Sequence, residues 1–358
     1  MAENTKIEWA DATWNPVTGC SVVSPGCTNC YAMKLAGTRL QHHPSRYGLT
    51  VGSKAGPVWN GEVRFNEQWL DQPLRWKRPR KIFVCAHGDL FHEKVPDEWI
   101  DRVFAVMALA PPHIFQVLTK RADRMRAYMA RLSAEGQTRW AADILSDAAR
   151  DIGIDEDGCC AVANWINGLS RWRHAPPDHN SLDGTQPRWP LPNVWLGVSV
   201  EDQVRADERR EDFANTPAAI KFVSYEPALG PVDWAGWDFV DQIISGGESG
   251  PDARPSHPDW HRATRDFCAA NDIAYFFKQW GAWLPWQPEH LPDWKAQDGR
   301  LMDRHHLPDF NDVDLKGWTD SCLYDGDDIC VHERVGKKRA GRLLDGVLHS
   351  AFPQQVPA

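Results

Sequence analysis

Residues Asn193–Tyr225, NVWLGVSVEDQVRADERREDFANTPAAIKFVSY, decide the fold. NVWLGVSV is a short, continuous apolar run, which suits a strand covered on both faces. EDQVRADERREDF follows, rich in charge and long enough for about three helical turns. AIKFVSY is a second short apolar run. Parallel neighbours are not joined by a tight turn, and a helical crossover is the usual link. The stretch therefore predicts one strand-helix-strand unit of a parallel sheet.

The same alternation extends in both directions. Downstream, FVDQIIS (239–245), DWHRATRDFCAAN (259–271) and IAYFFK (273–278) read as strand, helix and strand. Upstream, KIFVCA (81–86) and HIFQVLT (113–119) are strands, and KRADRMRAYMARL (120–132) is an amphipathic helix. Between those two strands a helix starts at Pro96, with Asp97 and Glu98 in its first turn and Trp99, Val103, Phe104, Val106 and Met107 as its apolar stripe. The first extended run is Ala12–Val17, and YAMKLAGTRL (31–40) reads as a helix. Residues 41–80, dense in Pro and Gly, read as loop with a short element over Phe65–Leu70.

Seven strands can be counted and an eighth is not evident. The expected class is α/β, a complete or partial TIM-like (β/α) barrel of parallel strands, in preference to a doubly wound sheet. The alternation breaks between residues 133 and 190, which predicts a helical and loop insertion. The expected organisation is a barrel over 1–286 with that insertion and an extension over 287–358 packing on it.

Barrels of this class carry their ligands on the loops after the carboxyl ends of the strands. Those ends hold Asn15, Asp89, Lys120, Glu201, Glu226, Glu248 and Lys278, a polar side chain at each of seven positions on one rim. Any one of them could cap the next helix or pair at the surface; the recurrence is what points to a central site. SGGESGPDARP (245–255) adds Gly246 and Gly247, whose backbone can approach a ligand closely, and Arg254, suited to a carboxylate or phosphate. It lacks the spacing of a dinucleotide fingerprint.

Cys20, Cys27 and Cys30 follow the first strand with spacing C-x6-C-x2-C, between the turn formers Gly19, Pro25 and Gly26. Three thiolates can hold three corners of a [4Fe-4S] cluster and leave the fourth iron open. Zinc, with His42 or His43, and a set of buried thiols or a surface loop are the other readings. Cys322, Cys330 and His332, with Cys268, form a weaker candidate for a second metal site. VGKKRAGRLLDG (335–346) is basic, without the order of a P-loop, and suits a phosphate or a solvated helix.

The cysteine motif, together with KIFVCAHGDLFHEKVPDEWIDRVF, HIFQVLTKRADRM, NVWLGVSVEDQ, IKFVSYEPALGPVD, IISGGESGPDARPSHPDW and YFFKQWGAW, resembles a phage and bacterial family of radical-SAM-like three-cysteine proteins. The likeness runs from about Thr5 to Trp286 and returns at GKKRAGRLLDG. The usual radical SAM spacing is C-x3-C-x2-C, so the first gap here is longer. The resemblance implies a cluster on Cys20, Cys27 and Cys30 that cleaves S-adenosylmethionine and abstracts hydrogen from a substrate. Asp89, Lys120, Glu201, Gly246, Gly247, Glu248 and Arg254 would bind the cofactor, and Glu226 and Lys278 would be catalytic. Its partners would be a low-potential electron donor and a small-molecule or nucleotide substrate, with nucleic acid and a protein partner left open. The rival readings are a non-catalytic iron-sulfur or zinc module and a metal-dependent hydrolase or nuclease.

Composition narrows the rest. With 42% apolar and 25% charged residues in 358, the chain is of globular type and long enough to bury a large core. A net charge of -9 opposes a general electrostatic grip on nucleic acid unless cations are concentrated locally. No apolar stretch reaches the ~18 residues of a membrane span, and the first residues do not form a signal peptide. A cytoplasmic location is expected, that of the host if the gene is phage-borne. Nine cysteines then suit thiolate or metal use better than disulfides.

Overall fold

Seven strands pair side by side in the order in which the chain makes them: β1 (Ala12–Trp14), β6 (Lys81–Val84), β7 (Ile114–Thr119), β8 (Val194–Ser199), β9 (Ile220–Tyr225), β10 (Gln242–Gly246) and β11 (Ala274–Gln279). Every pair is parallel. A doubly wound sheet reverses its strand order at a switch point. Here the order never reverses, so the architecture is a curled, open, partial TIM-like barrel. The computed structural model describes residues 5–133, 138–167, 189–285, 320–325 and 328–354.

Helices cover the outside. These are α2 (Asp97–Ala108), α3 (Ala122–Ser133), α4 (Thr138–Asp151), α5 (Glu156–Ile166), α6 (Gln203–Ala214) and α7 (Pro258–Ala270), while α1 (Tyr31–Gly37) belongs to a separate small core. Asp202 and Asp155 cap α6 and α5 by accepting the backbone N–H three residues on, at 2.9 Å in both. Between β9 and β10 no helix forms among the described residues. Trp234 and Trp237 supply apolar cover there, buried edge to face at 5.8 Å.

Strand periodicity separates two cores. Outward residues, among them Ile82, Val84, Phe115, Val117, Leu196, Val198, Val223, Ile243 and Phe277, pack under the helices. The alternate residues Phe83, Trp195, Phe222, Ile244 and Phe276 fill the inside with Trp9 and Ala10. Gly197 is required in that inner layer, because a side chain there would meet the Phe222 ring at 2.5 Å. Phe352 closes the same layer against Phe276, with ring centroids 5.4 Å apart. Its neighbours cover the open edge of β11: Phe277 N–H donates to the His349 carbonyl at 3.2 Å and Ala351 N–H to that of Tyr275 at 3.1 Å.

The segment read as loop contains more structure than expected. β3 (Thr50–Ser53) and β4 (Gly56–Trp59) form an antiparallel hairpin, and β2 (Val17–Thr18) pairs with β5 (Arg64–Phe65). Trp59 and Leu49 pack on Met33 and Ala36 of α1, a small core of their own. Farther on, β12 (Trp283–Pro285), β14 (Asp328–Arg334) and β13 (Asp320–Asp325) form a second antiparallel sheet in that order, and α8 (Lys337–Ala340) follows. Among the described residues no helix is long and apolar enough to cross a membrane.

Candidate functional site

Because all seven strands run the same way, their carboxyl ends share one rim, and the segment Cys20–Cys30 is tied across it. Ser24 donates to Glu201 Oε1 beyond β8 at 2.7 Å. Asn29 donates to Glu248 Oε2 beyond β10 at 3.0 Å, and Arg254 returns a bond to the Pro25 carbonyl at 3.1 Å. At the near end Arg121 donates to Ser21 Oγ at 2.6 Å. Gly26 is needed where the segment crosses Glu201, since a Cβ there would lie 2.6 Å from Oε1.

Four ionic groups line the rim. Asp89 accepts from Thr119 Oγ1 at 2.7 Å and from Arg121 at 2.9 Å. Arg121 also holds Glu93 at 2.7 Å; burial would raise the Glu93 carboxyl, but a hydrogen bond from its own backbone N–H and then Arg121 keep it down at about 2. Glu201 is wholly buried between Lys120 on one oxygen and Arg209 on the other, the latter at 2.9 Å. Burial, then the Arg209 charge, lower the Lys120 ammonium.

Glu248 is 7% exposed and receives Arg254 at 2.7 Å on Oε1, and at 2.9 Å on Oε2 from both Nε and the backbone N–H. Burial would raise its carboxyl, but the Arg254 and Asn29 hydrogen bonds outweigh it and hold the group below the usual range. Glu226 and Lys278 pair at 2.7 Å, and Gln279 donates to Glu226 Oε1 at 3.1 Å. Gly246 ends β10 and Gly247 follows it. The space left by the absent Gly247 side chain is taken by the Trp280 carbonyl, 2.1 Å from where a Cβ would sit. Asn15 accepts the His87 N–H at 2.9 Å.

The three cysteines have separate partners. Cys20 lies 3.7 Å from the Arg121 guanidinium, and burial, with Asp89, pushes its thiol up to about 12. Cys27 lies 3.7 Å from the Ser24 hydroxyl. Burial raises its thiol, but Lys120 and hydrogen bonds from the Val23–Ser24 backbone prevail and lower it. Cys30 precedes α1, and burial raises its thiol.

These placements correct the metal readings. Among the described residues no group of three or more His, Cys, Asp or Glu side chains is placed to hold a metal ion. The rim carboxylates already face arginine or lysine. The [4Fe-4S] cluster on Cys20, Cys27 and Cys30, the S-adenosylmethionine chemistry built on it, the zinc module and the metal-dependent hydrolase or nuclease are therefore not supported. The electron donor belongs to that same chemistry. In the proposed second metal site, the side chains of Cys322 and Cys330 lie outside the described residues, while His332 bonds the Ser256 carbonyl at 2.9 Å and Cys268 is buried in the outer core.

The residues that sequence reasoning missed are the partners: Ser24, Asn29, Arg121, Arg209 and Gln279. Arg121 and Gln279 adjoin predicted rim residues and were within reach. Arg209 carries no local signal, because it meets Glu201 only after α6 packs back on β8.

No curated protein and no solved structure matches the chain. The resemblance to radical-SAM-like proteins is corrected by the family model that does match, over residues 4–353. By that match, which spans nearly all of its length, the chain belongs to the family described as protein of unknown function (DUF5131).

Proposed function

We propose that the protein binds a small polar molecule on the carboxyl-terminal rim of the half-barrel, beside the Cys20–Cys30 segment. The observation that carries this reading is the Glu226–Lys278 pair, with both side chains 14% exposed. Lys278 offers three donors and meets one carboxylate; Glu226 keeps acceptor capacity beyond Lys278 and Gln279. The pair can exchange part of its mutual contact for hydrogen bonds to a ligand in a site already ordered around it.

Glu226 and Lys278 contact the ligand in this reading, with Lys120, Glu248 and Arg254 at its margins and the Gly246–Gly247 backbone alongside. Asp89 and Glu201, closed off by their arginines, hold the rim and the crossing segment in place. The described strands within the expected barrel of 1–286 supply the rim, and of the expected extension over 287–358 the described residues His349–Phe352 pack on β11.

Thermal unfolding in the presence of nucleosides, nucleotides, amino acids and small carboxylates tests the reading. A ligand at a hundredfold excess over Kd stabilises by ~2.7 kcal/mol. The expected result is a rise in Tm with at least one class, lost in Glu226→Ala and Lys278→Met but kept in Lys54→Ala on the distant hairpin. A rise of equal size in the rim variants, or none with any class, would overturn it.

A further inference from the structure

At the β11 end of the rim the surface opens into a cleft of about 490 Å³ lined by Lys6, Lys278, Lys337, Lys338 and Arg342, with Glu8 as its carboxylate. Five cations against one carboxylate is a marked local reversal in a chain of net charge -9. Glu8 pairs with Lys337 at 2.9 Å, and Lys278 is engaged by Glu226. Lys6 and Lys338 have no carboxylate partner among the described residues.

Arg342 is fixed by neutral acceptors. Its guanidinium donates to Ser350 Oγ at 2.8 Å and to the carbonyls of His349 and Phe277 at 3.1 and 3.2 Å. Its Nε is buried and has no acceptor. The guanidinium is therefore ordered without a direct carboxylate partner among the described residues, with Glu8 as the carboxylate that acts on it across the cleft. Gly336 and Gly341, at φ +81° and +70°, bend the chain around α8 so that Lys337, Lys338 and Arg342 reach one cleft.

We infer that this cleft binds a phosphate group, and that the rim ligand is therefore a small phosphate-bearing molecule. The first half stands on the cleft's own residues; the second rests on the rim reading. Lysines around a fixed arginine suit a phosphate, which offers several anionic acceptors at once. Lys278 faces both sites, so a ligand with its polar head at Glu226 and its phosphate among Lys6, Lys338 and Arg342 spans them through one side chain. Phosphate chemistry has two sources, a free small-molecule phosphate such as a nucleotide and a nucleic-acid backbone.

The test uses the full chain at low and high salt with inorganic pyrophosphate, adenosine monophosphate, adenosine and a short single-stranded oligodeoxynucleotide. The variants are Lys338→Glu, Glu226→Gln and, as a control with the same change of charge, Lys54→Glu. Pyrophosphate and the monophosphate are expected to bind more tightly than adenosine. Lys338→Glu should weaken them about tenfold, which is about 1.4 kcal/mol, and Lys54→Glu should not. Binding of the oligonucleotide alone, with steep salt dependence and the same loss in Lys338→Glu, also supports the phosphate site and assigns the backbone as its source.

Equal binding of adenosine and its monophosphate, no binding of any phosphate probe, or equal losses in Lys338→Glu and Lys54→Glu would overturn the cleft. Monophosphate binding that depends on Lys338 and is unchanged by Glu226→Gln keeps the cleft and removes the rim. Adenosine binding that depends on Glu226 without a phosphate effect does the reverse.

Discussion

Glu248 shows how much a single carboxylate on this rim depends on one neighbour. It is nearly buried, and Arg254 supplies three of its four hydrogen bonds. Removing one partner of a buried ion pair costs ~3–5 kcal/mol because the other charge is left in a poor solvent. Arg254 is about a third open to water, so Arg254→Ala should cost less, about 2 kcal/mol, measured by urea denaturation. Adding Glu248→Gln to that variant should restore part of the loss, since no uncompensated charge then remains. A double variant as unstable as Arg254→Ala would show that packing, and not charge, sets the cost.

Among the elements, the strands were legible because each is a short apolar run whose alternate residues serve two faces, as Ile82 and Phe83 do. The β3–β4 hairpin was not, since Gly52, Gly56 and Pro57 look like loop until Trp59 finds α1. The edge cover at His349–Phe352 was also hidden, because it follows from distant contacts with β11. Phe352 sets its aromatic ring on Phe276, and the Lys81 ammonium lies 3.7 Å from the ring centroid. Truncating a buried Phe to Ala costs ~3–5 kcal/mol. Phe352 is half-buried, so Phe352→Ala should cost about 2 kcal/mol and lower Tm, with faster amide exchange in β11 as the local sign. Unchanged exchange there would mean that the segment covers the edge without stabilising it.

For the molecule as a whole, the topology explains why the rim could be read in the sequence and its charge pairing could not. Parallel strands in sequential order must bring Asp89, Lys120, Glu201, Glu226, Glu248 and Lys278 to one rim, and sequence spacing was enough to show it. Whether those charges converge on a metal or neutralise one another depends on Arg121, Arg209 and Arg254, whose reach is set by packing. The interior also fixes how stability responds to acid. Burial, then Arg46, lower His87 from 6.5 to about 4. Burial, then the nearby His257, His332 and Arg262, lower His261 to about 3, between Ser245 Oγ at 2.5 Å and Ser256 Oγ at 2.9 Å. Both imidazoles stay neutral in the folded chain and would gain a proton on unfolding below 6.5. The unfolded state then binds more protons, so folding stability falls as pH drops from 6.5 toward 4, by at most about 1.4 kcal/mol per pH unit for each group. Urea midpoints across that window should decline in the wild type and more gently in His87→Gln, while flat midpoints would mean that the two rings are already protonated in the fold.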